Sequence, residues 1–129
     1  MSGYNDRPFR TLCREFGASL VYTGLISVKA IVYGDEPLGN RRTREMLRFD
    51  PREHPVVCQL YDDDPDRIAE AAREVAALPV DAIDLNMGCA KHKITRNGAG
   101  VALMEDPAKV RDIFTALTTA VDCPVTGKI

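Results

Sequence analysis

"VDAIDLNMGCAKHKITRNGAG", residues 80–100, decides the fold. From Ala82 to Met87 its side chains alternate with the period of two that marks a strand. Ile83, Leu85 and Met87 share one face, and Ala82, Asp84 and Asn86 share the other. A parallel strand buried on both sides normally reads as a near-continuous apolar run. This strand instead has one face that turns polar toward its C-terminal end. Beyond it come Gly88 and Cys89, then the basic residues Lys91, His92, Lys93 and Arg96, and two glycines, Gly98 and Gly100.

Two neighbouring stretches repeat the pattern. In "HPVVCQL", residues 54–60, Val56, Cys58 and Leu60 oppose Val57 and Gln59. In "CPVTGKI", residues 123–129, Val125 and Ile129 oppose Thr126 and Lys128. An earlier strand, "ASLVYTGLIS" (18–27), runs into a loop, and residues 27–33 and 41–47 read as short helices. "DDDPDRIAEAAREVAAL" (62–78) is a helix: Asp64 can cap it, Pro65 suits its first position, and Ile68, Ala72 and Val75 make its stripe. "EDPAKVRDIFTALTTAV" (105–121) starts the same way at Asp106-Pro107, with Val110, Ile113, Phe114 and Leu117 as its stripe. "DRPFRTLCREFG" (6–17) places Phe9, Leu12, Cys13 and Phe16 at helical spacing, and Gly17 ends it.

Strands alternating with helices make βαβ units and a parallel sheet. The sheet can be open and doubly wound or closed as a (β/α)8 barrel. A doubly wound sheet often carries a Gly-rich phosphate loop after its first strand; Gly98-Ala99-Gly100 is not one. Polar groups gathering at the C-terminal strand ends are what a barrel active site requires. The expected fold is therefore a (β/α)8 TIM barrel. A complete barrel takes about 250 residues, and this chain has 129. It is expected to be an incomplete barrel covering about strands 2–5, with the remaining half outside it.

Composition narrows the function. Hydrophobic residues make up 45% and charged residues 28%, as in ordinary globular domains. A net charge of -2 gives no global basic field, though local patches can still meet RNA. No apolar run approaches the roughly 20 residues of a membrane span, and "MSGYNDRPFR" lacks a signal-peptide core. None of the four cysteines forms a CxxC pair, and there are two histidines, so no metal site is expected. The cysteines read as reduced thiols in a cytoplasmic protein.

Cys13 on a helix stripe and Cys58 on an apolar strand face suit small buried hydrophobes, and Cys123 shows nothing functional. Cys89 lies past its strand, in a loop at the expected active face, where catalysis is carried. A nucleophile would need a paired base; a general acid needs only its proton. An ordinary thiol, with a pKa of about 8.5, holds that proton near neutrality. Lys128, at the end of its strand, can stabilise an anion such as a reduced flavin or an enolate. Gln59 can offer a heterocycle edge both a donor and an acceptor. Lys91, Lys93 and Arg96 form a local basic cluster suited to phosphates.

"DLNMGCAKHKITRNGAGVALM" (84–104) resembles the signature of the tRNA-dihydrouridine synthases, close to DxNMGCPxxKxxxxGxGxALM. "MSGYNDRPFR" resembles that family's opening, and "PVVCQL" and "PVTGKI" resemble its FMN-binding strands. The resemblance implies an FMN-binding barrel followed by a helical tRNA-binding domain, here expected to be absent. It also implies NADPH as electron donor, hydride passing to C6 of a uracil in tRNA, and protonation of C5 by the motif cysteine. Cys89 would be that acid. Gln59 and Lys128 would contact FMN, as would the backbone of Met1 and Ser2. Asn86 and Lys93 would lie near the substrate. A uracil within folded RNA would have to be turned out into the pocket.

Three positions depart from the family pattern. Ala90 replaces a proline, which leaves the cysteine loop less rigid. Gly24 stands where glutamate is common. Gly127 weakens a strand interior. Two other readings compete: an FMN barrel oxidoreductase acting on a small pyrimidine, and an inactive truncated remnant.

Overall fold

The computed structural model describes residues 4–129. Met1 and Ser2, expected at the cofactor, fall outside the described residues.

The strands are β1 (Val21–Tyr22), β2 (Ile26–Ser27), β3 (Val56–Tyr61), β4 (Ala82–Asn86) and β5 (Val125–Lys128). All pairings are parallel, in the order β1-β3-β4-β5, with β2 also on β3. A doubly wound sheet reverses its strand order at a switch point and carries helices on both faces. Here the order follows the sequence. The helices α2 (Val28–Val32), α4 (Pro65–Ala76) and α6 (Pro107–Ala120) pack in succession, α2 on α4 and α4 on α6. One core joins Ile68, Ala72 and Val75 of α4 and Ile113 and Leu117 of α6 to Cys58, Leu60, Ile83, Leu85 and Met87 of the sheet. The other face of the strands carries Gln59, Asp84, Asn86, Thr126 and Lys128. Sequential parallel strands with helices on one side form the open, incomplete wall of a barrel.

The helix starts follow from their caps. Asp64 accepts from the Arg67 N–H at 2.9 Å, and Asp106 accepts from the Lys109 N–H at 3.0 Å. Proline at N1, which has no N–H to leave unpaired, follows each cap. Fully burying a Leu or Ile contributes about 1.5–3 kcal/mol. The stripes therefore outweigh the caps, each worth about 1 kcal/mol, in holding these helices to the sheet.

Helix α1 (Arg7–Glu15) is where the apolar pattern misleads. Phe9, Leu12 and Phe16 are exposed, Cys13 is half-buried, and the helix buries Arg10 and Thr11 instead. Arg10 is drawn inward by Glu53, itself fully buried, at 2.7 Å. Its other nitrogens donate to the carbonyls of Asn5 and Arg48, each at 2.9 Å, and its guanidinium lies over the Phe49 ring. Removing one partner of such a buried pair costs about 3–5 kcal/mol. The pair ties the loop before α1 to the segment leading into β3.

The stretch read as one strand is broken. Val21 pairs with Val56 but Ile26 with Leu60, so five steps on one strand oppose four on the other. The extra residue is a bulge at Thr23–Leu25. There the Thr23 hydroxyl accepts from the Gln59 N–H at 2.9 Å, replacing a ladder carbonyl. Gly24 lies within this bulge.

Gly127 has a packing reason. A Cβ there would come within 2.7 Å of Phe114 Cζ and 2.9 Å of Met87 Cε. The ring of α6 occupies the room a side chain would take. At the opposite strand ends, Asp81 Oδ2 accepts from the Val56 N–H at 2.6 Å and meets His54 Nδ1 at 2.7 Å, clamping β3 to β4. Among the described residues no helix is long and apolar enough to cross a membrane, and no cluster of His, Cys, Asp and Glu could hold a metal ion.

Candidate active site

Strand register brings the site together. Gln59 pairs with Asp84 and Asp84 with Thr126; further along, Asn86 pairs with Lys128. These polar side chains are at the C-terminal ends of β3, β4 and β5, on the face away from the helices.

They form a connected network. Gln59 Nε2 donates to Asp84 Oδ2 at 2.7 Å, and Thr126 Oγ1 donates to Asp84 Oδ1 at 2.7 Å. Asn86 Nδ2 donates to Gln59 Oε1 at 3.4 Å. Asn86 Oδ1 accepts from the Cys89 N–H at 3.0 Å. Gln59, Asp84 and Asn86 are all buried. Asn86 thus works inward, bracing the cysteine loop.

Cys89 is half-buried and held from both sides. Its N–H goes to Asn86, and its carbonyl accepts from the Val101 N–H at 3.1 Å. That second contact needs Gly100: a Cβ there would lie 2.4 Å from the Cys89 carbonyl oxygen, and the residue has φ +65. These two bonds supply the restraint that Ala90, in place of proline, does not. Cys58 is the contrasting thiol. Burial on the helix face pushes it up to about 12, against the hydrogen bond with Thr23, so it stays protonated.

Lys128 is exposed, and its ammonium donates to the Ile129 carbonyl at 2.7 Å. A Cβ on Gly88 would stand 3.5 Å from Lys128 Nζ and 3.0 Å from the Ile129 carbonyl carbon. The residue preceding Cys89 therefore lies directly against the end of β5, where a side chain would press on the last residues of the strand.

Lys93 is apart from this group. It sits on the short helix α5 (His92–Thr95) and lines a neighbouring rim cleft of about 500 Å³ with Asn5, Ser27, Arg42 and Tyr61. Gly24 borders the same cleft. A smaller cavity of about 160 Å³ beside it shares Lys93 and adds Lys29 and Arg96. Neither space is lined by Cys89, Gln59 or Lys128.

Below this rim Arg67 Nη2 reaches Asp62 at 2.7 Å and Asp63 at 3.3 Å. Burial opposes charge on Asp62, but hydrogen bonds from Arg67 and the Asp63 N–H hold its carboxyl below the ordinary range. Asp63 moves up, through burial and the adjacent Asp62.

Three participants escaped the sequence reading: Thr23, Arg10 and the anchoring use of Asp84. The parity of Asp84 and Thr126 signalled their face. Nothing local marked Arg10, whose partner Glu53 is 43 positions away.

Comparison with known proteins agrees with this architecture. The family model "Dihydrouridine synthase (Dus)" matches residues 1–129. "tRNA-dihydrouridine synthase B" of Pseudomonas aeruginosa is 42% identical over 130 residues, covering 100% of this chain and 37% of that protein. "Probable tRNA-dihydrouridine synthase 1" of Synechocystis sp. is 37% identical, covering 99% of this chain and 35% of that protein. "tRNA-dihydrouridine synthase B" of Escherichia coli (strain K12) is 38% identical, covering 100% and 39%. The chain thus spans well under half the length of these curated relatives. From the match along all 129 residues, the chain belongs to the dihydrouridine synthase family.

Proposed function

We propose that this chain carries the proton-donor half of an FMN-dependent active site that reduces uridine to 5,6-dihydrouridine in tRNA. What supports the reading most is one feature: Gly88-Cys89 leaves β4 directly against the end of β5, which carries Lys128. A thiol and an ammonium thereby belong to adjoining strand ends, above a buried polar layer.

The residues present fit a flavin. Gln59 Nε2 uses one N–H on Asp84, which leaves its second for a ring heteroatom. Lys128 supplies a positive charge at the strand end beside the Cys89 loop, where it would stabilise an anionic ring. When bound, FMN supplies the hydride for uracil C6, after its own reduction by NADPH. Cys89 gives its proton to C5, completing addition across the C5–C6 double bond. Asn86 and Val101 hold the cysteine backbone while this happens. Lys93, with Arg42 in the rim cleft and Arg96 in the smaller cavity beside it, offers positive charge to RNA phosphates beside a turned-out uridine. NADPH and tRNA are accordingly the proposed partners.

The direct test incubates the whole protein with FMN, NADPH and unmodified tRNA, then measures dihydrouridine by nucleoside mass spectrometry. Dihydrouridine formed only when all components are present is the expected result. Its absence, with flavin bound and tRNA intact, contradicts the reading.

A further inference from the structure

We propose that Asp84 is a positioning residue for Cys89, acting through the side-chain amides of Gln59 and Asn86. The inference rests on the reading of Cys89 as the proton donor.

Asp84 is 1% exposed and takes no part in the chemistry described above. As a carboxylate it can only accept hydrogen bonds. Gln59 must therefore turn its NH2 end toward Asp84, where Nε2 sits 2.7 Å from Oδ2. The Thr126 hydroxyl, 2.7 Å from Oδ1, holds the carboxylate from the other side. With its nitrogen committed, Gln59 presents Oε1 to Asn86, and Asn86 turns Nδ2 toward it at 3.4 Å. That leaves Asn86 Oδ1 for the Cys89 N–H, at 3.0 Å.

Every link has one workable direction. A flipped Gln59 would set its carbonyl against the carboxylate. A flipped Asn86 would set an NH2 against the Cys89 N–H, donor facing donor. Two amides alone could adopt either sense, since each offers a donor and an acceptor. The acceptor-only group at the base removes that freedom. Asparagine at position 84 has nearly the same shape, but it can donate or accept. It would release the chain of amides and with it the cysteine backbone.

The test compares Asp84→Asn, Cys89→Ala and the exchange variant Gln59→Glu/Asp84→Asn in the whole protein. Three readouts are taken: flavin content, single-turnover reduction of uridine in tRNA, and iodoacetamide alkylation of Cys89 resolved by peptide mass spectrometry. Per bound flavin, Asp84→Asn is expected to lose about 100-fold in single-turnover rate, the scale of an ångström-sized misplacement of a reacting group. The tRNA concentration that half-saturates its single-turnover rate should hold within about threefold, because the lost step is positioning and not uniform binding. Its Cys89 alkylation rate should differ from wild type. The exchange variant returns a carboxylate to the pair, now at position 59, where it still accepts from Asn86. Its Cys89 alkylation should return to the wild-type rate, whatever the relocated carboxylate does to flavin affinity.

Wild-type turnover and alkylation in Asp84→Asn overturn the proposal. So does an exchange variant that fails to fold or keeps the Asp84→Asn alkylation rate. Should Asp84→Asn itself not fold, the exchange variant decides alone. Cys89→Ala separates the two claims: wild-type turnover there defeats the proton-donor reading, while the alkylation comparison still judges the positioning of residue 89.

Discussion

Gly100 shows what a missing side chain does at the scale of one residue. Its φ of +65 and its contact with the Cys89 carbonyl belong together: the backbone must turn left-handed there so that Val101 can donate to Cys89. Alanine would put a methyl 2.4 Å from a backbone oxygen, which no side-chain rotation relieves. Gly100→Ala is expected to retain flavin yet lower tRNA reduction by about 100-fold, through displacement of the cysteine. Flavin content and single-turnover rate together check it; a normal rate would mean the loop tolerates the shift. The sequence displayed Gly98 and Gly100 beyond the basic residues but not what they approach. It placed Cys89 in its loop and Gln59, Asn86 and Lys128 on their strand faces, because parity is a local property. It could not assign the Asn86 carbonyl to the Cys89 N–H, since that choice depends on Gln59, a strand away.

At the scale of elements, local chemistry and long-range pairing divide cleanly. The caps and stripes of α4 and α6 were legible because everything they need lies within a few turns. The face of α1 was not, because a buried arginine and a distant glutamate override the apolar spacing. The bulge between β1 and β2 was likewise invisible, since it exists only in the register with β3. The clamp of Asp81 makes a pH prediction. Burial opposes its charge, but hydrogen bonds from the Val56 N–H and from His54 hold its carboxyl below the ordinary range. A depressed folded value contributes stability in full above the unfolded value of about 3.9, and that contribution is lost as pH falls below it. Being partly exposed, the pair is worth less than about 1 kcal/mol. Urea unfolding at pH 7 and pH 3 should show Asp81→Asn losing less stability on acidification than wild type. Equal losses would remove Asp81 from the acid response.

Across the whole molecule the two ends of the strands have separate tasks. The N-terminal ends are fastened by Asp81 and His54, and the C-terminal ends hold the polar network, Cys89, Lys128 and the rim cleft. This division is that of the TIM barrel, the fold of the dihydrouridine synthase family, in which loops at the C-terminal ends carry the chemistry. The fold class was readable from polar strand faces that a doubly wound sheet has no use for. Strand order and one-sided helices then excluded that alternative. The proposed chemistry turns on one proton from one thiol. The measurement that reaches it most directly is a stopped-flow comparison of wild type and Cys89→Ala in the whole protein, following flavin absorbance. Both should be reduced by NADPH at the same rate. On mixing the reduced protein with unmodified tRNA, the variant should reoxidise about 100- to 10,000-fold more slowly, the range supplied by a positioned general acid. Reoxidation by tRNA at the wild-type rate would contradict the account.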